Sequence, residues 1–314
     1  MSRERLVAGL LALLVLAVAT TTAQATEGSR GILYRVIGGQ ASMYLLGSIH
    51  VGSAEMYPFG TEIEGAMAAA DTFVYECDTA SPEATATVKA RMRLPDGRTL
   101  AGEIGTELYA RVQAVCGLVG LDMRLLDGLT PWAVINTLAV YTTAAEMGAA
   151  NVAQALELGV EKQVQAYAAA NRKQAGYLET LDEQLGVLEG FSPALTAYLL
   201  TQECDVIENP QSARGLDASI ASWPAWWQSG DAEAFASQYM ASYLEPGHED
   251  VCAEYHAALV SARNVRMAQR LDTMLQAGGA YFVTVGLLHL TLPEDSVVAE
   301  LRKKGYTVEL VSRP

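Results

Sequence analysis

Tyr44-Leu45-Leu46-Gly47-Ser48-Ile49-His50 is the stretch from which the fold can be read. It is short, apolar and strand-like, and it ends in Gly-x-x-His. Residues 32–37 (Ile-Leu-Tyr-Arg-Val-Ile) form a second apolar run just upstream, and Gly38-Gly39-Gln40-Ala41 separates the two. Two apolar runs around a glycine-rich turn predict a hairpin. The same ending recurs 239 residues later, where the buried-type run Tyr281–Val285 leads into Gly286-Leu287-Leu288-His289. In both copies glycine allows a close backbone approach that a Cβ would block. The imidazole three residues on is then presented at a strand's carboxyl end, where sites in open sheets gather. Two of the chain's four histidines share this setting.

Outward from these two stretches, residues 61–70 read as a helix and Thr72–Tyr75 as a strand ending at Glu76. From Thr99 to Leu275 the periodicity is mostly helical, punctuated by Gly128, Pro131, Pro193, Pro210 and Pro224. Leu178-Glu179-Thr180 interrupts the helical pattern and reads as a short strand. The end of the chain returns to a helix over 294–304 and a strand over 306–311. No low-complexity linker divides the chain. The expected fold is α+β: a mixed β-sheet built from N- and C-terminal strands, with a large helical middle region.

Of the 314 residues, 51% are hydrophobic and 18% charged, which suits a buried core rather than a disordered chain. The formal charge of −15 argues against nucleic acid and anionic lipid as partners, since a polyanion is repelled by such a surface. Arg3 and Arg5 precede the apolar run Leu6–Ala19, and Ala23-Gln24-Ala25 follows. These are the three parts of a secretory signal peptide, and the run is short of the ~20 residues a membrane span needs. The expectation is a signal peptide over residues 1–25, a domain over 26–314, and export to the periplasm or the medium with no stable membrane span after cleavage. Cleavage takes the formal charge to −16. In an oxidising compartment the four cysteines predict two disulfides, with Cys77–Cys116 and Cys204–Cys252 closing the shortest loops.

A divalent metal site needs two or more His or carboxylate ligands and an open position for water. His50, Glu76 and His289 supply a two-His, one-carboxylate set, and a metal held there lowers the pKa of bound water to about 7. Asp78, two residues beyond Glu76 on an extended chain, is a further metal candidate. Glu179 is a candidate general base or an anchor for a ligating imidazole. Arg263, followed by Asn264 on a polar helix, is placed to pair with buried carboxylates or grip a developing oxyanion. Glu161 opens the Glu-Lys-Gln helix and reads as a solvated or capping group. His248, Cys252 and His256 lie on one side of a helix, but the outer two are about 12 Å apart at 1.5 Å per residue, too far for one ion. The G-x-S-x-G, H-E-x-x-H and phosphate-loop patterns are not found. Trp223, Trp226 and Trp227 are expected to serve packing.

In these segments the sequence resembles the TraB/GumN family, whose animal relatives include the Tiki metalloproteases. The resemblance is carried by residues 44–52, Val74-Tyr75-Glu76-Cys77-Asp78, Leu158-Gly159-Val160-Glu161, Leu178-Glu179-Thr180 with Glu183-Gln184-Leu185, Arg263-Asn264 with Met267, and residues 285–290. Ser48 stands where Thr is usual, and Glu161 where Asp is frequent. The resemblance implies a sheet flanked by helices, related to the erythromycin esterase and haem-uptake lipoprotein folds, with a metal-dependent hydrolase site. The function expected is that of an exported hydrolase of peptides or proteins using Mn, Co or Zn, with Glu76, Glu179, Arg263 and Asn264 in the catalytic machinery. The alternative is a non-catalytic envelope protein that holds a peptide or a haem-like ligand in the same cleft.

Overall fold

A computed structural model of the chain describes residues 28–146, 152–209 and 222–311. The segment read as a signal peptide and Pro210 lie outside the described residues. Among the described residues six strands form one mixed sheet: β1 (Leu33–Ile37), β2 (Ala41–Ser48), β3 (Thr72–Tyr75), β4 (Gln174–Tyr177), β5 (Gly279–Gly286) and β6 (Thr307–Leu310). Their order is β4-β3-β5-β2-β1-β6. β4, β3, β5 and β2 run parallel, with Ser48 opposite Gly286 and Val74 opposite Val283. β1 is antiparallel to both β2 and β6.

The expected hairpin is present, pairing Leu33 with Leu46 and Val36 with Met43. Helices fill the crossovers that parallel strands require. Thr61–Ala69 follows β2, Ala262–Ala277 precedes β5, and Val297–Lys303 precedes β6. Helix Ala262–Ala277 shows why its sequence is helical: Met267, Ala268, Leu271 and Leu275 recur at three- and four-residue spacing and are buried in the sheet's core. Phe73 and Phe282 pack 5.3 Å apart on adjacent strands, and Tyr167 of helix Val160–Ala170 lies 6.0 Å from Phe73. Trp227 is fully buried in this core and donates its indole N–H to the Gly47 carbonyl at 2.8 Å.

The helical middle has a core of its own. Val112, Val115, Leu138, Leu195 and Leu200 come together there from helices Thr106–Leu118, Pro131–Glu146 and Pro193–Glu208. One strand of the sheet also comes from the middle of the chain. It is Gln174–Tyr177, not Leu178-Glu179-Thr180, and it lies at the sheet edge with most of its residues exposed. Thr180 instead starts helix Leu181–Glu189 through a capping box with Glu183.

The two expected disulfides are not formed. All four cysteines are free and buried. Cys77 follows β3 and donates its thiol to Gln184 Oε1 at 2.6 Å, whereas Cys116 belongs to the helical core. Cys204 and Cys252 share that core, and the Cys252 thiol faces the Tyr198 hydroxyl at 3.7 Å. They pack as small apolar residues. Among the described residues no helix is long and apolar enough to cross a membrane.

Candidate functional site

Because β2, β5 and β3 are parallel neighbours, their carboxyl ends emerge on one edge, and the chain segments leaving them diverge around a crevice. A cavity of about 690 Å³ opens there. Its polar wall includes His50, Glu76, Glu161, Arg263 and His289. Ile49, Val140, Trp223, Phe235, Tyr239 and Val260 belong to its apolar wall. The twin Gly-x-x-His stretches therefore bring both histidines to one cavity across more than two hundred residues.

Gly286 shows what its lack of a side chain achieves. A Cβ there would stand 3.1 Å from Glu76 Oε1 and 3.5 Å from His289 Cδ2, so glycine makes room for the carboxylate and the imidazole together. The Gly286 N–H donates to Glu76 Oε1 at 2.6 Å. At Gly159 a Cβ would collide with the His50 carbonyl. That contact seats the start of helix Val160–Ala170, whose Val160 N–H donates to the Ile49 carbonyl at 3.0 Å.

Glu76 is nearly enclosed, its side chain 12% exposed. Its Oε2 accepts from Arg263 at 2.6 Å and from Gln184 Nε2 at 3.2 Å. Burial opposes ionisation, but Arg263, the two nearby imidazoles and the Gly286 N–H outweigh it and hold the carboxyl down at about 2. The main chain of Leu178-Glu179 clamps behind it, since the Glu179 N–H donates to the Glu76 carbonyl at 2.7 Å. Arg263 spans the two carboxylates and also reaches Glu179 Oε2 at 2.6 and 2.9 Å. Arg266 reaches Glu179 Oε1 at 3.1 Å.

His289 is buried on the short helix Leu288–Thr291 just after β5. Its Nδ1 lies 2.7 Å from Asn264 Oδ1. The Asn264 amide nitrogen is spoken for, since it donates to the Asp295 carbonyl at 2.9 Å and to Asp295 Oδ1 at 3.3 Å. Both partners there are acceptors only, so the amide oxygen must face His289, and Nδ1 must carry the ring proton. Burial holds this imidazole down at about 4, so it is neutral at pH 7 and its Nε2 presents a lone pair. Glu76 Oε1, also an acceptor, lies 3.9 Å from that Nε2. Two acceptors that face one another call for a cation or a proton donor between them.

His50 stands at the cavity mouth with its side chain 74% exposed, and its Nδ1 is 3.7 Å from Glu161 Oε2. Glu161 is not the solvated group its position in a first helical turn suggests. Its side chain is 21% exposed and lines the cavity. Burial raises its carboxyl above the usual range, His50 draws it down, and Glu76 pushes it up.

Three of the expected site residues lie off the cavity wall. Asp78 does not line the cavity, because the chain turns directly after Glu76. Its Oδ1 accepts from the Ala80 and Ser81 N–H groups at 3.0 Å each, shaping the turn into helix Pro82–Arg91. Glu179 is enclosed with no exposed side-chain surface, and it fixes Arg263 rather than facing the cavity as a base. Asn264 orients His289. His256, spaced from Cys252 like a ligand pair, is instead held between Tyr239 and Asp295. Among the described residues no group of three or more His, Cys, Asp or Glu side chains converges closely enough to hold an ion as placed. The donor set is nevertheless chemically suited to a divalent metal, with two imidazoles and two carboxylates on one cavity wall.

Asp295 and Tyr239 carry no motif of their own, and the sequence reading passed over them; Gln184 entered it only within the Glu183-Gln184-Leu185 segment, and His256 only as a rejected metal ligand. The nearest signal is the capping box at Thr180 and Glu183, which places Gln184 on the first turn of its helix.

No curated protein and no solved structure matches the chain. The model of the TraB/PrgY/gumN family matches residues 32–310, which include the cavity and both Gly-x-x-His stretches, and the chain belongs to that family.

Proposed function

We propose that the protein is an exported metal-dependent hydrolase of peptides, with His50, Glu76 and His289 as the protein ligands of a divalent Mn, Co or Zn ion. The observation that carries this reading is the pair of opposed acceptors, His289 Nε2 and Glu76 Oε1, 3.9 Å apart. Two ligands at ~2.1 Å from a tetrahedral ion stand about 3.4 Å from each other, so a small inward shift suits the pair to one ion. When bound, the ion supplies Lewis acidity and a water of lowered pKa.

The chain's own residues do the rest. Arg263 keeps Glu76 ionised against the cost of its burial. Asn264 keeps the His289 lone pair on the cavity side. Glu161, with its carboxyl raised by burial, releases its proton closer to neutral pH than an exposed carboxylate does, as a general acid or base requires. The apolar wall binds substrate side chains and excludes water around the reacting bond. Export rests on the amino-terminal pattern alone, since the unbridged thiols lend it no support.

A second reading, a non-catalytic envelope protein holding a peptide or haem-like ligand, draws on the predominantly apolar wall and on the lack of three converged donors among the described residues. Digestion of a peptide library with Mn²⁺ present, and again with EDTA, separates the two. Metal-dependent cleavage that EDTA abolishes supports the hydrolase. Ligand binding without cleavage under any divalent ion supports the binding protein.

A further inference from the structure

Behind His289 a chain of hydrogen bonds continues well past Asn264. Asp295 lies in the irregular link between helices Leu288–Thr291 and Val297–Lys303, where no ladder fixes its backbone. Its carbonyl and Oδ1 are the two acceptors that orient the Asn264 amide. Its other oxygen, Oδ2, accepts from His256 Nε2 at 2.9 Å and from the Ser261 hydroxyl. His256 Nε2 must therefore carry a proton, and its Nδ1 lies within hydrogen-bond distance of the Tyr239 hydroxyl at 2.9 Å. Tyr239 itself lines the cavity.

The backbone is adapted to this chain. Between His256 and Arg263 the helix widens into a π-turn over Ala257–Ser261. Such turns are rare and frequently mark functional sites. Here it changes the angular relation between the two flanking segments, so that His256 and Ser261 reach Asp295 while Arg263 and Asn264 reach Glu76 and His289.

We propose that Asp295 and His256 are positioning residues for His289: by anchoring the Asp295 link they fix the Asn264 amide, and so the ring tautomer that leaves the His289 Nε2 lone pair in the cavity. Neither residue touches the cavity's reacting space through its own carboxylate or imidazole; each acts through the next member of the chain. The claim rests on the metal reading only for its purpose, because the tautomer is a property of the metal-free protein. Metal-ligating histidines commonly depend on such outer partners, whose loss weakens binding about 10- to 100-fold.

The test is a long-range ¹H–¹⁵N spectrum of histidine-labelled protein without metal, with the His289 signals assigned by their loss in His289→Ala. The parent should show neutral His289 protonated at Nδ1. Asp295→Ala and His256→Phe should each move it toward the Nε2-protonated form and weaken Mn²⁺ binding about tenfold or more. Asp272→Ala is the control: it removes a carboxylate at the far end of the same long helix, where it accepts from Tyr306 and Lys304, and it should leave the tautomer unchanged. If either variant folds, by circular dichroism, and His289 stays protonated at Nδ1, the proposal is wrong. It is equally wrong if Asp272→Ala moves the tautomer. A parent protein with the Nδ1-protonated ring and no metal affinity would overturn the metal reading and leave this assignment standing.

Discussion

Replacing Arg263 with methionine removes the cation that bridges two enclosed carboxylates, Glu76 and Glu179. Glu76 is held at about 2 against an ordinary 4.5, and Arg263 is the largest of the groups that lower it. A depression of that size corresponds to roughly 3 kcal/mol of folding stability, present above the unfolded value of about 4.5 and lost as the pH falls toward 2. Breaking a buried pair by deleting one partner costs about 3–5 kcal/mol by an independent route. The two magnitudes agree, so Arg263→Met should lose about 3–5 kcal/mol at pH 7.5 and melt roughly 6–12 °C lower. The sign of the pH dependence separates charge from packing. In the variant Glu76 is buried without its countercharge, its carboxyl rises above the ordinary value, and the penalty is relieved by protonation as the pH drops from 7.5 to 5. Buried His289, held at about 4 against an ordinary 6.5, costs both proteins stability over that interval, so it is the gap between the two that should narrow rather than either curve that stays flat. Urea unfolding at both pH values measures it. A loss below about 1 kcal/mol, or a gap that is the same at pH 5 and pH 7.5, would refute the assignment of Arg263 as the charge that holds Glu76.

Glu183 is held at about 2 by Arg270 and by the Thr180 N–H, so the support it gives helix Leu181–Glu189 should persist above about 4.5 and fade as the pH falls through 2. Thr180→Ala removes the other half of that capping box and should cost about 1 kcal/mol in denaturant unfolding. The four thiols should all titrate in denatured, unreduced protein, and native Cys77 should react slowly at pH 8, since burial and the neighbouring carboxylates push its thiol up to about 12. Gly286→Ala forces a methyl against Glu76 Oε1 and should weaken divalent-ion binding measured by titration calorimetry while circular dichroism stays unchanged.

The sheet and the two histidines were legible because local chemistry dictates them. An apolar run before a glycine reads as a strand approaching a neighbour, and Gly286 is needed for the contact it makes with Glu76. What stayed illegible depends on contacts between segments distant in the chain. Glu161 sits in a first helical turn, a position that usually faces solvent; only the docking of Val160 onto the Ile49 carbonyl turns it into the cavity. Asp78 shares a face with Glu76 only if the chain stays extended, and the bend at Glu76 and Cys77 ends that, leaving Asp78 to the Ala80 and Ser81 N–H groups. Glu179 looked like a free base because its two arginine partners lie more than eighty residues away. The reach of His256 toward Asp295 escapes any count of helical spacing, since the π-turn breaks the period on which such counts rest. The cysteine reading failed for a related reason. An even count is a statement about compartment, whereas Cys116, Cys204 and Cys252 pack in the helical core and Cys77 lies against Gln184 just after β3.

The central claim is that the opposed acceptors of His289 and Glu76, with His50, hold a divalent ion. Titration calorimetry of the chelator-stripped protein with Mn²⁺, Co²⁺ and Zn²⁺, in parallel with His50→Ala/His289→Ala, tests it most directly. The account predicts one ion per chain for the parent with at least one of these metals, and loss of that binding in the folded double variant. A parent that takes up none of the three, or a double variant that binds as tightly as the parent, would contradict it.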